Sequence, residues 1–266
     1  MTNASLPIAP RRFGQTMRTD AWWAQPLSVF ALLGSFVAYS TWAAFQGNYY
    51  HFGGYLSPFY SPELFGESPH AWFGPKPSWW PAALPFSPAL LILWMPGSFR
   101  FTCYYYRGAY YKAFWADPPS CGVGEPRHSY LGENSLPLLL QNLHRYTLYL
   151  AVPFLFVLAS DAWKAMWFAD AGGGESFGIG VGTILLTANV VLLSGYTLGC
   201  HAMRHLIGGV VDQLSLRPAR KVAYDCSSCL NRGHMQWAWA SLVMVAFCDL
   251  YVRMLSMGVW TDLRII

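Results

Sequence analysis

Charge is what this sequence has least of. Asp, Glu, Lys and Arg make up 11% of its 266 residues, where soluble domains carry about 25%. A chain so poor in charge, and 54% hydrophobic, is not an ordinary water-soluble domain. The first 20 residues lack an apolar stretch; they are polar and hold Pro7, Pro10, Arg11, Arg12 and Arg18. No cleavable signal peptide is expected. The formal charge of +4 is small and its cations are scattered, which excludes a nucleic-acid-binding stripe. There is no Gly-rich dinucleotide fingerprint, so the chain alone is not expected to hold a flavin. No internal repeat is visible, and no shift in composition marks a domain boundary, so residues 1–266 read as a single domain.

What is present is a series of apolar runs. A membrane helix needs about 20 mostly apolar residues, and five stretches qualify: about 22–45, 82–103, 135–160, 177–206 and 234–257. The expected fold is therefore an all-α integral membrane protein, a bundle of five transmembrane helices. Pro85, Pro88 and the Pro96-Gly97 pair should kink or break the second. Ser135 is a natural cap for the third, ahead of Pro137. Gly208-Gly209 closes the fourth. Thirteen of the seventeen Lys and Arg residues fall at the N-terminus, in 100–134, in 204–234, or at Arg145 just inside the third run. Only Lys76, Lys164, Arg253 and Arg264 lie opposite. That bias puts the N-terminus in the cytoplasm. The outer loop, about 47–80, reads as an ordered cap on the bilayer.

With that topology, chemistry gathers at the cytoplasmic end. His201 and His205 are four apart, on one helix face, and Cys200 adjoins them. Cys103 ends the second run, Cys121 lies in the next loop, and His144 falls nine residues past Ser135, roughly 13 Å along a helix. Five of the six cysteines and five of the seven histidines map to this side. Two groups suit such a donor set. Haem b takes two axial histidines from different helices, such as His144 with His201 or His205. A Rieske-type [2Fe–2S] centre takes two thiolates on one iron and two imidazoles on the other; His201 and His205 could share one iron. The soluble Rieske pattern, Cys-x-His followed by Cys-x-x-His, is absent, and spacing alone leaves haem and cluster evenly matched. Plainer readings stand beside these. Cys200 alone suits a small buried hydrophobe, and His144 suits a histidine bonded to a neighbouring helix. Cys226-x-x-Cys229 with His234 is an incomplete zinc set. Cys248 reads as core, residues 104–115 as an interfacial aromatic belt, and Asp249 with Arg253 as an intrahelical ion pair.

Four stretches carry a family likeness: 100–107 (RFTCYYYR), 141–146 (QNLHRY), 200–205 (CHAMRH) and 234–239 (HMQWAW). Together they resemble the single-chain membrane anchor of succinate dehydrogenase, in the actinobacterial type. The resemblance implies a multi-pass protein of the bacterial plasma membrane. It implies a flavoprotein and an iron–sulfur subunit docked on the cytoplasmic face, with electrons passed to menaquinone, and it leaves a higher oligomer open. It tips the balance from haem b toward a Rieske-like [2Fe–2S] cluster. Cys103, Cys121, His201 and His205 are then the first ligand set, with His144 and Cys200 as alternatives. A quinone needs an apolar slot with a few polar groups, for which His144, Arg145, Tyr146, Trp237 and Trp239 are the candidates. Membrane lipid is the remaining partner. The alternative from another class is a non-redox transporter or assembly factor, which would need no metal.

Overall fold

The computed structural model describes residues 12–132, 134–169 and 173–266; Pro7, Pro10 and Arg11 lie outside the described residues. The chain divides into two compact units, one of residues 1–35 and 100–143, the other of 36–99 and 144–266. Among the described residues, four helical segments are long and apolar enough to cross a membrane: Ala24–Gln46, Leu138–Lys164, Val181–Leu198 and His234–Ser256. The first is α1. The second begins as a 3-10 turn, Leu138–Leu143, and continues as α5, His144–Lys164. The third is α6 and the fourth α9.

Two expected helices are interrupted. The stretch 82–103 is not one span but two short helices, α2 (Pro88–Ile92) and α3 (Trp94–Phe101), with Pro88 at the first turn of α2 and Pro96 early in α3. Proline is tolerated in a first turn and breaks what precedes it. The stretch 177–206 is likewise split, into α6 and α7 (His201–Gly208), with Gly199 and Cys200 between them. Because a 3-10 turn precedes α5, His144 is the first residue of that helix, not nine residues inside it.

In the first unit, α4 (Tyr104–Ala109) runs into a π-helical turn over Tyr110–Phe114. Tyr106 does not belong to a surface belt: it is fully buried and accepts from Arg100 Nη1 at 2.9 Å. Arg18 pairs with Asp20 and also donates to Ser120 Oγ (2.9 Å) and to the Cys121 carbonyl (3.1 Å). Asp117, fully buried, is met by Arg127 at 2.6 Å.

In the second unit, α9 packs along α6, and α6 against α5, around Ala162, Leu186, Cys248, Val252 and Leu255. The ends of these helices define two levels. At one level, two small hairpins, β1–β2 (His51–Phe52 with Tyr55–Leu56) and β3–β4 (Trp167–Ala169 with Glu175–Phe177), close over the ends of α5 and α9 and the start of α6. Gly54 lies against the Lys164 and Trp167 carbonyls. Tyr55 donates to Asp262 at 2.5 Å, Tyr251 does so at 2.7 Å, and Ile179 bonds to the C-terminal Ile266 through its backbone. Gly47, just past α1, sits against the Phe86 carbonyl at this same level. At the other level Phe99 stacks on His144, with ring centroids 4.6 Å apart. Residues 86–99 thus pass from the level where α1 ends to the level where α5 begins.

The hairpin level is tied down by buried carboxylates. Asp249 and Arg253 form the expected pair, at 3.3 Å, but both side chains are fully buried. Asp249 also accepts from Tyr39 (2.6 Å) and Ser57 (2.5 Å). Arg253 donates to the Asn48 carbonyl at 3.1 Å and lies over the Trp42 ring at 5.1 Å. Glu63, also fully buried, accepts from Tyr50 at 2.8 Å and from Ser68. Burial first, and then the carboxylate acceptor, push the Tyr50 and Tyr55 hydroxyls above their ordinary value, so both remain protonated donors. The loop 47–87 is therefore fastened by hydrogen bonds to charge as well as by apolar packing. Removing one member of a buried ion pair leaves an uncompensated charge at a cost of about 3–5 kcal/mol. Arg253→Met should lower the melting temperature of the detergent-solubilised protein sharply, and the double variant with Asp249→Asn should recover part of the loss. Unchanged melting of Arg253→Met would contradict this role for the pair.

Candidate functional site

The opposite level holds the chemistry, and it begins where α6 stops. Gly199 is the last residue before the break. A Cβ there would come within 2.6 Å of the Gly195 carbonyl oxygen and 2.9 Å of Leu230 Cβ, so only glycine fits. The carbonyls freed by the break are taken by a helix that the sequence pattern did not reveal, α8 (Pro218–Arg232). Ser227 Oγ donates to the Leu198 carbonyl and Asn231 Nδ2 to the Gly199 carbonyl, each at 2.7 Å. Ser227 and Asn231 are four apart and so share a face of α8. Between them they hold the turn from which Cys200 points as the first residue ahead of α7.

Cys200 is buried, and its sulfur is 2.9 Å from Nε2 of the fully buried His144. Three further rings stand with His144 in one continuous set of contacts. Phe99 stacks on His144 at 15°. Tyr196 meets Phe99 edge-on at 5.6 Å, and His234 stacks on Tyr196 at 5.1 Å and 17°. Trp237 lies flat against Gly195, where a Cβ would come 2.6 Å from the indole. One thiol and two imidazoles, carried by the starts of α5 and α9 and the turn after α6, thus occupy one level of this unit. Sequence reasoning placed His144 and Cys200 in the ligand pool. It counted His234 among the histidines of this side and as an incomplete zinc partner, but left it out of the ligand pool.

His201 and His205 do meet, Nε2 to Nε2 at 3.0 Å, but on the exposed face of α7. They border a cavity of about 320 Å³ that Arg204 and Tyr224 also line. Burial, then the charges of His205 and Arg204, hold the His201 imidazole below its ordinary value. The break at Gly199 re-sets the phase of the helix, so α7 turns this pair away from the side where Cys200 faces His144. Cys103 is buried ahead of α4, and Cys121 is exposed in its loop, both in the first unit. Among the described residues no three His, Cys, Asp or Glu side chains close on a single metal ion. That includes the Cys226, Cys229 and His234 set: the two thiols are exposed on α8 while His234 lies under Tyr196. The quinone candidates divide between surfaces. Trp237 packs inward on α6. Arg145 lies over Tyr146 at 5.7 Å, both exposed within a turn of His144. Trp239, two residues past Trp237, is half-buried on the other side of α9.

No curated protein sequence matches the chain. A chain of the solved Mycobacterium smegmatis Sdh1 complex in the apo form is 39% identical, with a TM-score of 0.84, over 100% of this chain and 98% of that one. Residues 24–258 match the family described as actinobacterial succinate dehydrogenase subunit SdhC. Both stretches whose helices are interrupted fall inside the matched region. The chain belongs to that family and is a membrane subunit of succinate dehydrogenase.

Proposed function

We propose that this subunit anchors a flavoprotein and an iron–sulfur subunit on the cytoplasmic face of the bacterial plasma membrane. It would pass their electrons to menaquinone through a membrane-embedded, Rieske-like [2Fe–2S] centre. The observation that carries this reading is the buried contact between Cys200 and His144, with His234 in the same set of ring contacts. A Rieske-type centre takes sulfur on one iron and imidazole on the other. One thiol and two imidazoles at one level fit three of the four donors. Ligands divided between two irons need not converge on a point, so the lack of a single-ion cage among the described residues does not count against a cluster.

When bound, the cluster supplies a one-electron relay between a soluble donor and the quinone. The protein's own part is to hold and insulate it. Ser227 and Asn231 fix the turn that aims Cys200, while Phe99 and Tyr196 wall the imidazoles off from water. Burial and hydrogen bonds to sulfur tune the potential of such a centre. Arg145 and Tyr146, exposed within a turn of His144, are the residues a quinone head arriving from the lipid meets first, and Tyr146 can carry a proton toward it. His201 and His205, on the outer face of α7, are left outside this ligand set.

The reading also includes five crossings with the N-terminus in the cytoplasm. The support is the course of residues 86–99, which link the level where α1 ends to the level where α5 begins. The helical part, 88–101, is about 21 Å long at 1.5 Å per residue, shorter than the bilayer core of about 30 Å. The rest of the crossing is extended chain shielded by protein, as such irregular segments require. Alkaline phosphatase fused after Lys76 should be active, and fused after Glu125 inactive. Equal activity at both sites would remove the second crossing.

The cluster itself is tested on the purified, reduced complex. A Rieske-like, low-average-g EPR signal is expected. Cys200→Ala and His234→Ala should each abolish it along with quinone reduction, while His201→Ala retains it. The same measurement on Cys103→Ala and Cys121→Ala tests whether either of these sequence-expected thiols is needed for the signal. A strong reduced haem b band in place of the signal would overturn the cluster in favour of a haem anchor. Loss of the signal in His201→Ala alone would return the ligand set to α7.

A further inference from the structure

We propose that Cys226 and Cys229 are a thiol–disulfide switch on α8, closed by a peroxide and felt at the turn that carries Cys200. Both thiols are exposed on the last three turns of α8. Residues three apart in an α-helix have Cα atoms about 5 Å apart, inside the range of about 4.4–6.8 Å that a disulfide spans. Arg232 Nη2 lies 3.2 Å from Cys229 Sγ, so this sulfur has a fixed positive charge beside it and is the attacking one. The pair takes no part in the ring contacts.

The same two turns of α8 face inward with a different task. Ser227, between the two cysteines, and Asn231, two past them, hold the Leu198 and Gly199 carbonyls. Tyr224 and Asn231 also receive the Arg204 guanidinium of α7, at 3.0 and 3.3 Å. Helical Cβ atoms at this spacing are about 5–6 Å apart, whereas a disulfide requires about 3.5–4.5 Å. Closing the bridge must tighten the turn that contains Ser227, and the clamp on α6 moves with it. A bridge strained in this way is readily reduced, the type used for regulation in a reducing compartment.

The chemistry balances with peroxide as oxidant. The Cys229 sulfur attacks the O–O bond; an S–O bond forms, the O–O bond breaks, and one oxygen leaves as water. The Cys226 sulfur then attacks the sulfenic sulfur; an S–S bond forms, the S–O bond breaks, and a second water leaves. Two thiols are oxidised by two electrons in all, and one peroxide is reduced to two waters.

The proposal does not rest on the cluster reading, and its test avoids it. The purified complex is treated with stoichiometric hydrogen peroxide, digested for peptide mass analysis, and examined by hydrogen exchange. A 226–229 disulfide, reversed by a dithiol reductant, is expected. The Met203 and Arg204 amides, which bond to the Cys200 carbonyl at 3.0 and 3.2 Å, should exchange roughly two- to thirtyfold faster, the span of typical coupling between sites. The Cys226→Ser/Cys229→Ser variant should show neither change and keep its basal turnover. Absence of the bridge overturns the switch. A bridge that leaves exchange at 203–204 unaltered overturns its link to Cys200.

Discussion

The end of α6 is the constraint on which the rest of this subunit turns. A helix that stops at the edge of a bilayer releases carbonyls, and in hydrocarbon each unpaired one costs several kcal/mol. Here those of Leu198 and Gly199 are paired by Ser227 and Asn231 from α8. With its carbonyls satisfied from outside, α6 can end where it does. Cys200 then leaves the helix with its sulfur toward His144, and α7 restarts in a new phase. Had the helix run on unbroken, Cys200, His201 and His205 would have shared its surface, and the buried thiol–imidazole contact would not exist.

The opposite level solves a different problem. A loop of some forty residues must lie over helix ends without fraying. Carboxylates with a full set of hydroxyl, amide and guanidinium donors do what an apolar core cannot do at a wet interface. The Asp249–Arg253 pair, Glu63 with Tyr50, and Asp262 with Tyr55 and Tyr251 fix that layer. The helices that leave it are held in register at their other ends, where His144, Cys200 and His234 stand.

Much of this was legible from residue order. Apolar length located α1 and α9 to within two residues, because nothing interrupts those runs. Asp249 and Arg253 were readable as a pair from their spacing, though not their burial, which depends on Tyr39, Trp42, Asn48 and Ser57 arriving from elsewhere in the chain. Proline marked the weakness of 82–103 but not the exact stop. The split of 177–206 was not readable at all. Its cause is a contact between Gly199 and Leu230 and two side-chain bonds from α8, none of them local in sequence. That one break explains why the i, i+4 spacing of His201 and His205 correctly predicted that they meet and said nothing of the surface on which they do so. His234 was left out of the ligand pool for a related reason: its partner ring, Tyr196, lies 38 residues away in the chain.

Family membership makes the chain a membrane subunit of succinate dehydrogenase; the proposed electron carrier would sit where α6 is stopped. The most direct measurement is pulsed EPR on the reduced complex with its histidines labelled with ¹⁵N. The account predicts hyperfine coupling from two imidazole nitrogens, both retained in His201→Ala and His205→Ala. Coupling from no histidine nitrogen, or a coupling lost in either of those variants, would contradict it.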